Sequence, residues 1–220
     1  NIYKKMYPAS TTKILTAYLA LKYGDLDEIL TVSELAADQA ADSSVCHINA
    51  GERLTLRQLL YGLMMQSGND AAIVIAEAIS GSVEAFADLM NQEAKALGAL
   101  DSHFVNPNGL HDKDHYTTVY DLYLIFQEAV KNDAFLELIQ TKEFTVDYLD
   151  PVGMPLQQVW NSTNKYLMET ETAPKGVTVV GGKTGTTNDA GYCLVLLSSN
   201  SKNEQIVSIV MKADCRNNLY

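Results

Sequence analysis

Ser10-Thr11-Thr12-Lys13 sets a hydroxyl and an amine three residues apart where a helix should begin, so both side chains fall on one face within reach of each other. A serine hydroxyl attacks a carbonyl only when a base takes its proton, and a lysine can do this where its surroundings leave it neutral. The positive end of the helix favours an oxyanion beside Ser10. The same spacing recurs at Ser162–Lys165 and Ser199–Lys202, but those stretches are polar, whereas Ser10 opens a long apolar run. A second candidate, Ser67-Gly68-Asn69, offers a hydroxyl and an amide between two apolar helical stretches, where both can be held at the edge of a cleft. A third, Lys183-Thr184-Gly185, leaves an ammonium and a hydroxyl projecting near a turn, and its glycine lets a substrate backbone approach the strand.

The elements that must position these groups change character along the chain. After Pro8, the spacing of Ile14, Leu15, Tyr18, Leu19 and Leu21 predicts a buried helix that stops at Gly24. Thr55 and Gln58 form a capping box ahead of a helix ending near Gln66. Ala71 to Ile79 continues as a helix, Ser82 caps another that runs towards Gly98, and Thr118 begins one over Val119 to Lys131. The last third holds β-branched runs at Val177–Val180, Tyr192–Leu197 and Gln205–Met211, predicting three antiparallel strands joined by hairpins. Asp150 to Pro155 is a loop, or a turn between short strands. Helices followed by a meander predict one α+β domain, an antiparallel sheet with a helical cluster.

A length of 220 residues, 47% of them hydrophobic and 20% charged, excludes a globally disordered chain. The formal net charge of −11 opposes binding to nucleic acid and docking on an anionic membrane surface. Cys46, Cys193 and Cys215 are too few and too widely spaced for a disulfide framework, and Cys46-His47 lacks partners for a metal. His111-Asp112-Lys113-Asp114-His115 contains metal-ligand types but no apolar face, so it is expected to be a solvated loop. Cys193 is expected as a small buried hydrophobe, and Trp160 either lines a cleft or packs. Asn1 to Met6 has no signal-peptide order and no apolar run is long enough for a membrane span, which leaves a cytosolic protein or a processed or truncated chain.

Together the three polar motifs form the set that marks serine penicillin-binding proteins and class A β-lactamases. Tyr7–Lys13, Leu63–Ala72, Asn106–Leu110 and Gly182–Gly185, followed by Ala190–Cys193, closely resemble the D-alanyl-D-alanine carboxypeptidases, the low-molecular-mass penicillin-binding proteins, from about Tyr7 to Met211. The resemblance implies the β-lactamase/transpeptidase-like fold and a serine-acyl reaction on peptidoglycan stem peptides ending in D-Ala-D-Ala. It makes Ser10 the nucleophile, Lys13 its base and Ser67 a proton relay to the leaving amine. Asn69 then holds the substrate amide, and Lys183 and Thr184 bind the terminal carboxylate. Gly185 admits the substrate backbone, and Thr186 supplies an oxyanion-hole N–H together with that of Ser10. It further implies covalent inhibition by β-lactams, no metal or other cofactor, and action outside the cytoplasmic membrane.

Residues 1–220 then form one incomplete catalytic domain, because the family's sheet normally starts with two strands ahead of the serine and closes with a helix after the last strand. A signal peptide and any membrane anchor belong to segments absent from this chain. Gly182 stands where relatives usually carry an apolar residue, which is expected to loosen that strand. Two alternatives remain. One is a class A-like β-lactamase, for which Glu128 and Asn132 match the Glu-x-x-x-Asn spacing of the deacylating loop. The other is a non-catalytic wall-peptide sensor.

Overall fold

The run after Pro8 folds as a 3-10 turn, Ala9–Thr12, leading into helix α1, Lys13–Tyr23. Ile14, Leu15, Ala17, Leu19 and Ala20 are all buried, so α1 has almost no solvent stripe and occupies the middle of the core. Each such Leu or Ile contributes about 1.5–3 kcal/mol by leaving water. Gly24 ends the helix with φ −96°, an ordinary value, so space rather than conformational freedom selects it. A Cβ there would lie 2.3 Å from the Leu56 side chain.

In this computed structural model, which describes residues 1–216 and 219, the chain continues through β1 (Ile29–Thr31), α2 (Glu34–Ala37), β2 (Arg53–Thr55) and α3 (Leu56–Tyr61). A π-turn, Gly62–Gln66, extends α3 before α4 (Asn69–Ser80), α5 (Val83–Ala96), α6 (Val119–Ala129) and α7 (Asp133–Gln140). Strands β3 (Glu143–Leu149), β4 (Pro155–Asn161), β5 (Val177–Thr187), β6 (Gly191–Asn200) and β7 (Gln205–Ala213) complete it. Asn217, Asn218 and Tyr220 lie outside the described residues. Helices α3 to α7 all pack on α1. The predicted caps are present: the Gln58 N–H donates to Thr55 Oγ1 at 3.2 Å while Gln58 Oε1 accepts from the Thr55 N–H at 2.8 Å. Ser82 and Thr118 accept from the Ala85 and Asp121 N–H groups at 3.1 and 3.0 Å.

The predicted meander is an antiparallel sheet in the order β5-β6-β7. Central β6 is buried without a break from Cys193 to Ser198, which is why its sequence reads as a continuous apolar run rather than an alternation. A bulge between Val179 and Gly181 lets β5 pass under α7, where a Cβ on Gly181 would meet the Ile139 carbonyl oxygen at 2.0 Å. Gly182 does not loosen the strand, contrary to expectation. Pairing runs on from Gly181 to Thr187, and a Cβ on Gly182 would lie 1.9 Å from the Val195 carbonyl oxygen, so the residue is set by close contact with β6.

A second sheet, β1-β2-β3-β4, was anticipated only at one turn, by the alternative that set Asp150 to Pro155 between short strands. Strands β3 and β4 form a hairpin whose turn is held by Asp150 Oδ1, accepting from the Val152 and Met154 N–H groups at 2.9 and 2.7 Å. Trp160 of β4 is buried beside Phe144 and against Gly62, so it packs in the core rather than lining a cleft.

Candidate active site

The 3-10 turn brings Ser10 to the lip of the fold and places Lys13 at the first position of α1, fully buried. Lys13 Nζ lies 3.0 Å from Ser10 Oγ and donates to Asn69 Oδ1 at 2.8 Å and to the Asn108 carbonyl oxygen at 2.7 Å. Asn69 opens α4 and is itself buried. Asn108 belongs to a loop whose Pro107 carbonyl oxygen accepts from Thr16 Oγ1 at 2.6 Å, one turn further along α1. Asn106 Oδ1 accepts from the Gly109 N–H at 2.7 Å and Asn108 Oδ1 from the Leu110 N–H at 3.0 Å, so the loop shapes itself with its own asparagines. Gly109 adopts φ +85°, and a Cβ there would lie 1.9 Å from the Ala9 carbonyl oxygen.

Ser67 follows the π-turn in the left-handed region, φ +59°, a conformation that costs a non-glycine residue about 1–2 kcal/mol. The extra residue of the π-turn carries Ser67 out of the helical path, and its Oγ accepts from Lys183 Nζ at 2.9 Å. Gly68 fits where a Cβ would lie 2.2 Å from Cys46 Sγ. Behind the motif, Asp70 accepts from the Cys46 N–H at 2.8 Å and the Ala71 N–H at 2.8 Å, fixing the 44–48 segment against α4. Burial drives the Lys13 pKa well below the ordinary lysine value, and the Lys183 charge pushes it the same way, while Cys46 and Asp70 oppose both. Burial also lowers the Lys183 pKa, to about 7.

Edge strand β5 lies directly against the serine turn. A Cβ on Gly185 would approach the Ser10 and Thr11 backbone nitrogens to 2.9 and 3.0 Å, so the glycine permits the contact. The Thr184 and Thr163 hydroxyls are hydrogen-bonded to each other at 2.9 Å. Two adjoining cavities meet at Ser10 and Thr186. One, of about 360 Å3, reaches Asn69, Asn108, His111 and Asp189. The other, of about 310 Å3, reaches Ser67, Thr184, Gly185, Tyr192, Lys165 and Arg216. An extended ligand laid along β5 would cross the serine between them.

Ser10, Lys13, Ser67, Asn69, Lys183, Thr184, Gly185 and Thr186 therefore converge on one cleft. Sequence reasoning missed Asn108, whose contribution is a backbone carbonyl that no side-chain type announces. It also missed Asp70, Thr163, Lys165 and Arg216. His115 requires a correction: it is 1% exposed, not part of a solvated loop. The other members, His111 to Asp114, are exposed as expected. The Glu128 carboxylate pairs with Lys131 at 2.6 Å, and Asn132 caps α7, so neither enters the cleft as a deacylating loop would require.

The sequence profile of a family described as D-alanyl-D-alanine carboxypeptidase matches residues 1–215. The chain is 34% identical over 218 residues to D-alanyl-D-alanine carboxypeptidase DacF of Bacillus subtilis (strain 168), covering 97% of this chain and 53% of the relative. It is 35% identical over 201 residues to the D-alanyl-D-alanine carboxypeptidase of Streptomyces sp. (strain K15), covering 86% and 67%. The chain thus spans about half the length of the Bacillus protein. The crystal structure of the Streptomyces K15 DD-transpeptidase superposes with a TM-score of 0.87 at 31% identity, covering 96% of this chain and 82% of that one. This establishes the penicillin-binding and β-lactamase-like fold. Profile, sequence and fold agree with the three-motif cleft: the chain belongs to the D-alanyl-D-alanine carboxypeptidase family.

Proposed function

We propose that this protein is a serine D-Ala-D-Ala carboxypeptidase that trims the terminal D-alanine from peptidoglycan stem peptides outside the cytoplasmic membrane, and that β-lactams acylate it. The observation that carries the reading is the surroundings of Lys13 Nζ. A neutral amine has two N–H donors and one lone pair. Asn69 Oδ1 and the Asn108 carbonyl oxygen, at 2.8 and 2.7 Å, can only accept and take both hydrogens. Ser10 Oγ, at 3.0 Å, alone can donate, so the lone pair faces the Ser10 hydroxyl. The depressed Lys13 pKa keeps that neutral form accessible.

Ser10 Oγ bonds to the scissile carbonyl carbon as its proton passes to Lys13. The intermediate's oxygen faces the backbone N–H groups of Ser10 and Thr186, where one such donor contributes about 3 kcal/mol to the transition state. The C–N bond breaks, and the proton that Lys13 accepted passes through Ser67 to the leaving amine; Ser67 accepts from Lys183 and so keeps its own O–H for the substrate side. Water hydrolyses the acyl-Ser10 ester. Asn69 steadies the substrate amide, while Lys183, Thr184 and the open backbone at Gly185 receive the terminal carboxylate and main chain.

A fluorescent penicillin and a D-Ala-D-Ala peptide test this on the full-length protein. Wild type should carry label on Ser10 and release D-alanine, and Ser10→Ala should do neither while remaining folded. An unlabelled, folded wild type would overturn the proposal. Label that turns over within seconds would instead indicate a β-lactamase, and label without D-alanine release a wall-peptide sensor.

A further inference from the structure

His115 is buried behind the serine turn and performs none of the steps above. Its Nδ1 accepts from the Val105 N–H at 3.1 Å, which requires that ring nitrogen to carry no hydrogen. The remaining hydrogen is then on Nε2, which donates to Thr12 Oγ1 at 2.8 Å. Thr12 lies between Ser10 and Lys13 in the catalytic turn. The ring is wedged edge-on against Phe104, with centroids 5.5 Å apart. Phe104 in turn is fixed to α5: Asn91 accepts from its N–H at 2.8 Å and donates to its carbonyl oxygen at 2.7 Å.

The chain from Val105 to His115 is thus a loop anchored at its base to α5. Its tip delivers the Asn108 carbonyl to Lys13 and the Pro107 carbonyl to Thr16. His115 is the one described side chain that bonds both to the root of this loop and to the turn bearing the nucleophile. A hydrogen-bond path runs from Val105 through the imidazole to Thr12, in parallel with the path from Asn108 to Lys13.

We propose that His115, as the neutral Nε2–H tautomer, is a positioning residue for acyl transfer. By tying Thr12 to Val105 it fixes the Ser10–Lys13 turn relative to the Asn108 carbonyl, and so aims the Lys13 lone pair at Ser10. This rests on the role given to Lys13 above. Only one protonation state serves: a second hydrogen on Nδ1 would confront the Val105 N–H. Asp112, which favours the charged ring, and His103 and His111, which oppose it, are the titratable neighbours that act on it. Misplacement of a reacting pair by about 1 Å is enough to slow chemistry on the order of a hundredfold.

The test follows acylation of the full-length protein by a fluorescent penicillin across a concentration series, together with thermal melting. His115→Phe keeps a ring against Phe104 and removes both hydrogen bonds. It should lower the maximal acylation rate on the order of tenfold to a hundredfold while leaving the half-saturating concentration unchanged. His115→Gln, which can still donate to Thr12, should recover part of the rate. Thr12→Val combined with His115→Phe should be no slower than His115→Phe alone, because both remove the same link. A folded His115→Phe that acylates at the wild-type maximal rate, or effects that multiply in the double variant, would overturn the inference. If His115→Phe does not fold, nitrogen NMR of wild type decides: Nε2 protonated at neutral pH supports the link and Nδ1 protonated refutes it. Failure of wild type to label at all would refute the reading of Lys13 and remove this inference with it, an outcome distinct from labelling that ignores His115.

Discussion

Acid should unfold this protein in a way that a single substitution removes. Burial lowers the His115 pKa from 6.5 to about 4, so between those values the unfolded chain binds a proton that the folded chain refuses. Stability from this group is therefore complete above about pH 6.5 and is lost as the pH falls towards 4. The gap between 6.5 and about 4 corresponds to about 3 kcal/mol, a large share of the stability of an ordinary domain. His115→Gln has no proton to gain. Urea unfolding of wild type and His115→Gln at several pH values between neutral and about 4 isolates this contribution, because every other titrating group is common to both. The variant should be the less stable near neutrality, and its disadvantage should shrink by about 3 kcal/mol in acid. A difference that stays within about 1 kcal/mol of its neutral value across the range would show that the fold does not hold His115 neutral.

Gly109→Ala should cost at least about 1–2 kcal/mol, since it puts a side chain at φ +85° with its methyl 1.9 Å from the Ala9 carbonyl oxygen. The displaced loop would carry Asn108 away from Lys13, so penicillin acylation should slow on the order of a hundredfold, and a wild-type rate would contradict the role given to that carbonyl. Asp70→Asn keeps the shape but removes the charge that receives the Cys46 and Ala71 N–H groups, and should lower stability by about 1.5–3 kcal/mol in urea titrations. An unchanged midpoint would rule out that anchoring role.

Sequence reading placed Ser10 and Lys13 within reach of each other because a hydroxyl and an amine three residues apart open an apolar helix, but their proposed roles as nucleophile and base came from the family resemblance and not from the spacing. It located Ser67 and Lys183 as separate candidates, but their 2.9 Å bond joins residues 116 positions apart and depends on β5 crossing the end of the π-turn. The caps at Thr55, Ser82 and Thr118 were legible because capping is local chemistry. Of the second sheet only the turn at Asp150 to Pro155 was read, as one alternative: β1 and β2 are only three residues long and β4 spends alternate positions on exposed Pro155, Gln157 and Val159, although the alternation of Phe144, Val146 and Tyr148 in β3 is a strand signal that went unread. His115 was misread for a related reason. Its neighbours Asp112, Lys113 and Asp114 are solvated, and the ring is drawn inward by partners at Thr12 and Val105 that the local composition does not reveal.

The low Lys183 pKa would also make binding of the proposed anionic ligand a proton-consuming event. Burial lowers the Lys183 pKa to about 7, so this lysine exchanges its proton near neutral pH, where an ordinary lysine stays charged. A carboxylate docking beside it would favour the charged form, so each ligand bound at that pH should draw a fraction of a proton from solution. Affinity for an anionic ligand would then weaken towards alkaline pH without any change in the ligand itself. The heat of binding to Ser10→Ala should depend on the ionisation enthalpy of the buffer, which turns a buried lysine into a quantity that a calorimeter can count.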